Sequence, residues 1–267
     1  MNQAGLEALL GKVLVVVAHQ DDETACAAVL QRAREAKVVF ATDGAPDSEY
    51  FWGRFGSRQK YASVRRAESL ESLAVIRLAE PVFLEYPSRH IPFRDQELYC
   101  CLPDALEALE NIVHSFKPNA LLAPAYEGGH PDHDACSFLV HTVGRRLFIP
   151  TWEMPLYYRS STGELVYQKF RESLGSEVMA TLTETELRRR GQMLEKYVSQ
   201  PDASTFVSAP AECYRPQPNY DYSLAPHCGP LNYEVWGWRM TGADLCMAFQ
   251  SCEGMTRNLT FKNQPIS

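Results

Sequence analysis

The sequence predicts an α/β fold of the Rossmann-like, doubly wound type, with a mostly parallel sheet and an irregular C-terminal lobe. Three observations predict it. A continuous β-branched run lies near the N-terminus, further short apolar runs alternate with amphipathic helical stretches, and the texture changes after about Pro150, where the alternation fades.

Lys12–Ala18 reads KVLVVVA. An unbroken apolar run is what a strand covered on both faces requires, and such strands belong to parallel sheets. Glu23–Arg34 is rich in Ala and Leu and reads as a helix. Val38–Thr42 is a second strand ending at the turn pair Asp43-Gly44, and Ala45–Ser57, rich in Gly, Pro and aromatics, reads as a loop. Tyr61–Ile76 places Val64, Ala67, Leu70, Leu73 and Ala74 on one helical side. Val82–Tyr86 is a third strand, followed by a loop to Cys101; Pro103–Phe116 is a helix with Leu106, Leu109, Val113 and Phe116 on one face. Ala120–Ala123 is a fourth strand and Asp134–Leu147 a helix. Trp152–Arg159 and Leu165–Phe170 read as strands joined by a Ser-Ser-Thr-Gly turn, and Thr183 with Glu186 forms a capping box opening a helix to Val198. From Gln200 onward prolines and aromatics dominate. The expected organisation is therefore a Rossmann-like domain over 1–199, carrying the functional site, with 200–267 as an extension packed on it.

Composition narrows the function classes. The 267 residues are 45% apolar and 22% charged, enough for a sizeable core. Net charge is −7 with no long basic run, which disfavours nucleic acid as a partner. No apolar run approaches the roughly 20 residues of a membrane span, and no basic start followed by an apolar stretch marks a leader. The eight cysteines are scattered without a C-x-x-C pair, which fits free thiols in a reducing cytoplasm; a Cys246–Cys252 disulfide remains an alternative. Oligomeric state stays open.

Two constellations carry chemistry. Ala18-His19-Gln20-Asp21-Asp22-Glu23 follows the first strand, and Gly128-Gly129-His130-Pro131-Asp132-His133-Asp134 follows the fourth. Both fall at carboxyl ends of strands, where doubly wound sheets bind ligands, and strands one and four adjoin the crevice in the common strand order. Either acidic turn alone would suit a helix N-terminus, but that does not explain the histidines beside the acids. Catalytic zinc takes three protein ligands from imidazole and carboxylate and leaves a position for water. The two clusters offer enough of both; iron or another divalent ion suits the same set. No G-x-G-x-x-G follows the first strand, which counts against a non-catalytic nucleotide- or sugar-binding module.

AHQDDE followed by HPDH, in this α/β context, resembles the LmbE/PIG-L family of zinc-dependent N-deacetylases, whose members act on N-acetylglucosamine groups of glycolipids, thiol cofactors and antibiotics. The resemblance covers about the first 150 residues. It implies that His19, Asp22 and His133 are zinc ligands, that Asp21 is the general base, that His130 stabilises the oxyanion or assists the leaving group, and that Asp132 orients a histidine. Arg65 and Glu68 match an R-x-x-E pattern whose arginine faces the substrate. The implied activity is removal of an N-acyl group from a small N-acetylated sugar or its conjugate, with cleavage of a larger amide, such as a sugar–cysteine conjugate, as the alternative. Gln20 departs from the family, which usually has proline there; proline would fix the φ of that turn. Tyr126, near the second motif, is expected to line the pocket, and Trp236 and Trp238 to stack on a sugar ring or to serve as packing.

Overall fold

The computed structural model describes residues 5–78 and 80–262. Its strands are β1 (Lys12–Val17), β2 (Glu35–Phe40), β3 (Val82–Phe83), β4 (Ala120–Pro124), β5 (Thr151–Met154), β6 (Tyr157–Arg159), β7 (Leu165–Tyr167), β8 (Val178–Thr181) and β9 (Ala211–Pro216). The helices are α1 (Ala27–Arg32), α2 (Glu49–Trp52), α3 (Arg58–Val75), α4 (Leu102–Phe116), α5 (Pro131–Leu147), α6 (Glu184–Leu194), α7 (Ala203–Phe206), α8 (Asn232–Val235) and α9 (Gly242–Lys262).

Seven strands form one sheet in the order β3-β2-β1-β4-β5-β9-β8, while β6 and β7 pair as a separate hairpin. β1 runs parallel to β2 on one side and to β4 on the other, and β3 and β5 extend the parallel region outward. The alternation of side chains along β1 shows why its sequence is apolar throughout. Leu14 and Val16 enter one core with Leu106, Leu109, Phe138 and Leu139, whereas Val13, Val15 and Val17 enter the opposite core with Leu30, Leu73 and Met193. The chain leaves β1 to build β2 and β3 on one side and later returns to build β4 and β5 on the other. The β1/β4 junction is therefore the switch point of the sheet, where a crevice opens beyond the strand ends.

Several elements differ from expectation for identifiable reasons. The helix expected from Glu23 begins as a 3-10 turn, Asp22–Cys26, before α1. The loop expected at Ala45–Ser57 contains α2 and a further 3-10 turn. The third strand is reduced to Val82–Phe83. The strand expected over Trp152–Arg159 divides into β5 and β6 at Pro155, which has no backbone N–H to give a ladder. The capping box at Thr183 and Glu186 forms as expected. The stretch beyond Gln200 supplies more regular structure than its composition suggests: β9 inserts antiparallel between β5 and β8, and α9 packs on α4 and α5. All eight cysteines are free thiols, Cys246 and Cys252 included.

Candidate active site

Two strand ends deliver the principal residues. After β1 the chain turns sharply through His19–Asp22, and Asp21 adopts φ 132° and ψ −29°, a conformation that a side chain other than glycine rarely takes. Such backbone costs on the order of 1–3 kcal/mol and persists only where its surroundings hold it. Here the Asp21 N–H donates to Glu23 Oε2 at 3.0 Å, its carbonyl accepts from Thr24 Oγ1 at 2.6 Å, and its Oδ1 meets Arg65 Nη2 at 3.0 Å. After β4, His130 caps α5 and Pro131 occupies its first turn, where a missing N–H costs nothing. His130 Nδ1 accepts from the Asp132 N–H at 3.1 Å. In the neutral ring the remaining proton therefore sits on Nε2, which faces Asp95 Oδ1 at 3.6 Å.

The three imidazoles converge. The His19 ring centroid lies 4.3 Å from that of His130 and 5.2 Å from that of His133. Asp22 Oδ2 lies 3.4 Å from His19 Nδ1 and 3.2 Å from His133 Nε2. Ligand atoms around a tetrahedral zinc, with bonds of about 2.0–2.2 Å, are spaced by roughly 3.3–3.6 Å, and each of these two contacts of Asp22 lies close to that spacing; His19, His130 and His133 also bring ring nitrogens within 4.8 Å of one another. His133 Nε2 is buried without a hydrogen-bond partner, as a nitrogen awaiting a cation would be. His19 Nε2 turns to the other side, toward Asp95 Oδ1 at 3.3 Å and Asp132 Oδ2 at 3.4 Å.

Asp132 is fully buried behind His19 and also accepts from the N–H groups of Gln96 and Leu98. It thereby ties the 95–98 loop to α5. Asp95, which motif spacing does not reveal, enters from that loop; its N–H donates to Asp43 Oδ1, and Asp43 is clamped by Arg58. Tyr157 enters from β6, its ring 5.4 Å from that of His133.

Burial dominates the electrostatics. It pushes the Asp21 carboxyl up to about 7, against the pull of Arg65. Burial opposes charging of His19, but Asp95, Asp132 and Asp22 outweigh it and hold the imidazole well above its ordinary range. Burial, reinforced by His19, pushes His130 well below its ordinary range and keeps it neutral. Asp22 stays ionised despite its burial, because His133 and His19 face it.

A cavity of about 580 Å³ opens over this cluster, lined by His19, Asp21, Asp22, Arg65, Asp95, His130 and His133 at one end and by Tyr50, Phe51, Trp236 and Trp238 among its other walls. Arg65 lines it, but its guanidinium donates to the carbonyls of Gly44 and Gln20 as well as to Asp21, so most of its donors serve the turn. Glu68 accepts from the N–H and hydroxyl of Ser199, at 2.8 and 2.5 Å. Gln20, in place of the proline, is buried and donates Nε2 to the Thr42 carbonyl, stitching the turn after β1 to that after β2. Gly44 (φ 63°) lies flat against it: a Cβ there would meet Gln20 Oε1 at 2.1 Å. Tyr126 is not among the cavity-lining residues. It points into the core against Tyr220, Tyr222 and Phe249 and donates its hydroxyl to the Leu224 carbonyl.

Residues 14–143 match the PIG-L family model, GlcNAc-PI de-N-acetylase. The chain is PIG-L-like. No curated protein matches it. Among solved structures it is similar to the A40926 pseudoaglycone deacetylase Dbv21, with TM-score 0.57 and 19% identity over 77% of this chain and 96% of that one. It is likewise similar to a deacetylase triple mutant from the teicoplanin biosynthetic pathway, with TM-score 0.58 and 19% identity over 77% and 97%. A deacetylase–teicoplanin complex gives TM-score 0.56 and 19% identity over 76% and 96%. At these identities the likeness to solved structures speaks for a shared α/β fold.

Proposed function

We propose that this PIG-L-like chain is a zinc-dependent hydrolase that removes an N-acetyl group from an N-acetylglucosamine-like amino sugar or its conjugate. The observation that carries the reading is the position of Asp22 Oδ2, 3.4 Å from His19 Nδ1 and 3.2 Å from His133 Nε2, with Asp21 lining the same cavity. The deacetylase names borne by the family and by the similar structures support it. In this reading His19 Nδ1, Asp22 Oδ2 and His133 Nε2 hold the metal. A divalent cation held there would lower the pKa of a bound water to about 7 and polarise the amide carbonyl. Zinc suits this donor set best, although other divalent ions share it.

The protein's own groups do the rest. Asp21, held by Arg65, takes the proton of the attacking water and returns it to the departing amine. His130, neutral with its proton on Nε2, donates to the oxygen on which negative charge develops. Asp132 keeps the His19 ring oriented. Arg65, Trp236 and Trp238 border the space left for the sugar. The test is elemental analysis of the purified protein followed by a screen for acetate release over N-acetylated sugars and conjugates. Bound zinc with acetate release supports the reading. A larger acid as product would make the chain an amidase, and metal-free protein that gains no activity on adding zinc would refute it.

A further inference from the structure

The cavity, at about 580 Å³, is larger and more apolar than hydrolysis of an acetamide requires. Its polar end holds the buried carboxylates and imidazoles, while its outer end is built from aromatic side chains on two segments far apart in sequence. From one side come Tyr50 and Phe51 on α2, 89% and 36% exposed, with their rings 5.2 Å apart. From the other come Trp236, 43% exposed, and Trp238, which follow α8. Trp238 stands edge-on to His130 at 4.8 Å and lies 5.2 Å from Trp236, so an aromatic path leads from the catalytic histidine to the surface. The two segments are joined at the rim, where Asp47 lies 3.8 Å from Arg239 and 3.7 Å from Arg94. Large aromatic rings left in water at the edge of a cavity gain free energy when a ligand covers them, and they cover flat apolar groups best. They are also continuous with the reacting centre, so their occupant is part of the substrate itself.

We propose that this rim is a binding site for an aromatic or similarly flat apolar aglycone attached to the amino sugar, and that Tyr50, Phe51 and Trp236 select such conjugates over the free sugar. The inference rests on the deacetylase reading for its orientation, with the amide at the metal end and the aglycone outermost.

The experiment compares zinc-loaded protein on N-acetylglucosamine, on its phenyl and naphthyl glycosides, and on N-phenylacetylglucosamine. kcat/KM is read from acid release, and binding of the non-turned-over glycoside is read from quenching of tryptophan fluorescence. The glycosides should exceed the free sugar in kcat/KM by about tenfold, the gain expected from one or two aromatic contacts. Tyr50→Ala and Trp236→Ala should bring that ratio toward one. Equal kcat/KM for sugar and glycosides, or a ratio unmoved by both substitutions, overturns the proposal. So does a preference for the N-phenylacetyl compound, which would place the acyl group on the aromatic rim. Saturable quenching by the naphthyl glycoside without hydrolysis of any compound would support the rim and refute the deacetylase reading. Hydrolysis without quenching or preference would do the reverse, and neither quenching nor hydrolysis refutes both.

Discussion

At the scale of single residues, the two adjacent aspartates face different partners from one turn. Asp22 faces His19 and His133, whereas Asp21, driven into positive φ, faces Arg65 and the cavity. Asp21→Asn keeps the size and removes the proposed base, so kcat should fall by roughly 10²–10⁴ while zinc content, measured by elemental analysis, stays at the wild-type value. Loss of zinc in that variant would reverse the assignments of base and ligand. On the proposed assignment His133→Ala should instead lose zinc and activity together, because its Nε2 is one of the three proposed donors. The adjacency of Asp21, Asp22 and His19 is visible in the sequence, and so is the His-Pro-Asp-His cap of α5. Asp95 was invisible to motif reading. It is an acid in an ordinary loop, Pro92–Glu97, and the one clue available was that its loop follows a strand, at the edge of the sheet where sites form.

At the scale of elements, the strained turn is supported from behind by side chains of α3 and of the segment after α6. Glu23 lies buried with Oε1 accepting from Ser72 on α3 at 2.8 Å and from the hydroxyl of Tyr197, just beyond α6, at 2.5 Å, while Oε2 takes the Asp21 N–H. Tyr197→Phe removes one hydrogen bond and little volume. It should lower stability by about 1–3 kcal/mol, read as a shift in the denaturant midpoint, and should reduce kcat more than KM because the turn that carries Asp21 is loosened. An unchanged kcat would mean that Glu23 and Ser72 suffice. The close approach of β6 to the second motif is as demanding. A Cβ on Gly129 would meet the Tyr157 carbonyl oxygen at 2.0 Å, so Gly129→Ala should displace His130 or β6, read as lost acetate release. The helical spacings of α3 and α4 and the capping box of α6 were legible because they obey short-range periodicity. β8 and the inserted β9 were not, since a strand of four to six residues shows itself mainly by its partners.

At the scale of the whole molecule, the antiparallel end of the sheet buries carboxylates away from the site. Glu153 on β5 pairs with Arg215 at 2.6 Å, and Glu212 on β9 accepts from the Tyr214 hydroxyl and the Ala28 N–H. Burial pushes both carboxyls up to about 7, against the opposing pulls of Arg215 and Tyr214 respectively. In the unfolded chain the same groups release their protons near pH ~4.3. Between those values the folded state binds more protons than the unfolded state, so stability falls as pH rises through about 4.3–7 and levels off above. His19, with its imidazole raised, acts in the same direction. Metal-free protein should therefore melt at a higher temperature at pH 5.5 than at pH 8 by differential scanning calorimetry. A melting temperature that climbs over this range would show that Arg215 keeps Glu153 ionised. Metal must be absent, since deprotonated ligands bind it better as pH rises and would mask the slope. Among the described residues, no helix is long and apolar enough to cross a membrane.

By itself the sequence determined the β1 core strand, the alternation that sets the doubly wound order, and the two acidic-histidine turns at strand ends, because these depend on residues within a few positions of one another. The tertiary structure alone decided the rest. It brought Asp95 and Tyr157 to the imidazoles, turned Tyr126 into the core, committed Arg65 to the Asp21 turn, and set α2 and the α8 segment at one rim. Spacing along the chain encodes periodicity and local turns, whereas these contacts follow from how loops of unrelated length close over the packed sheet.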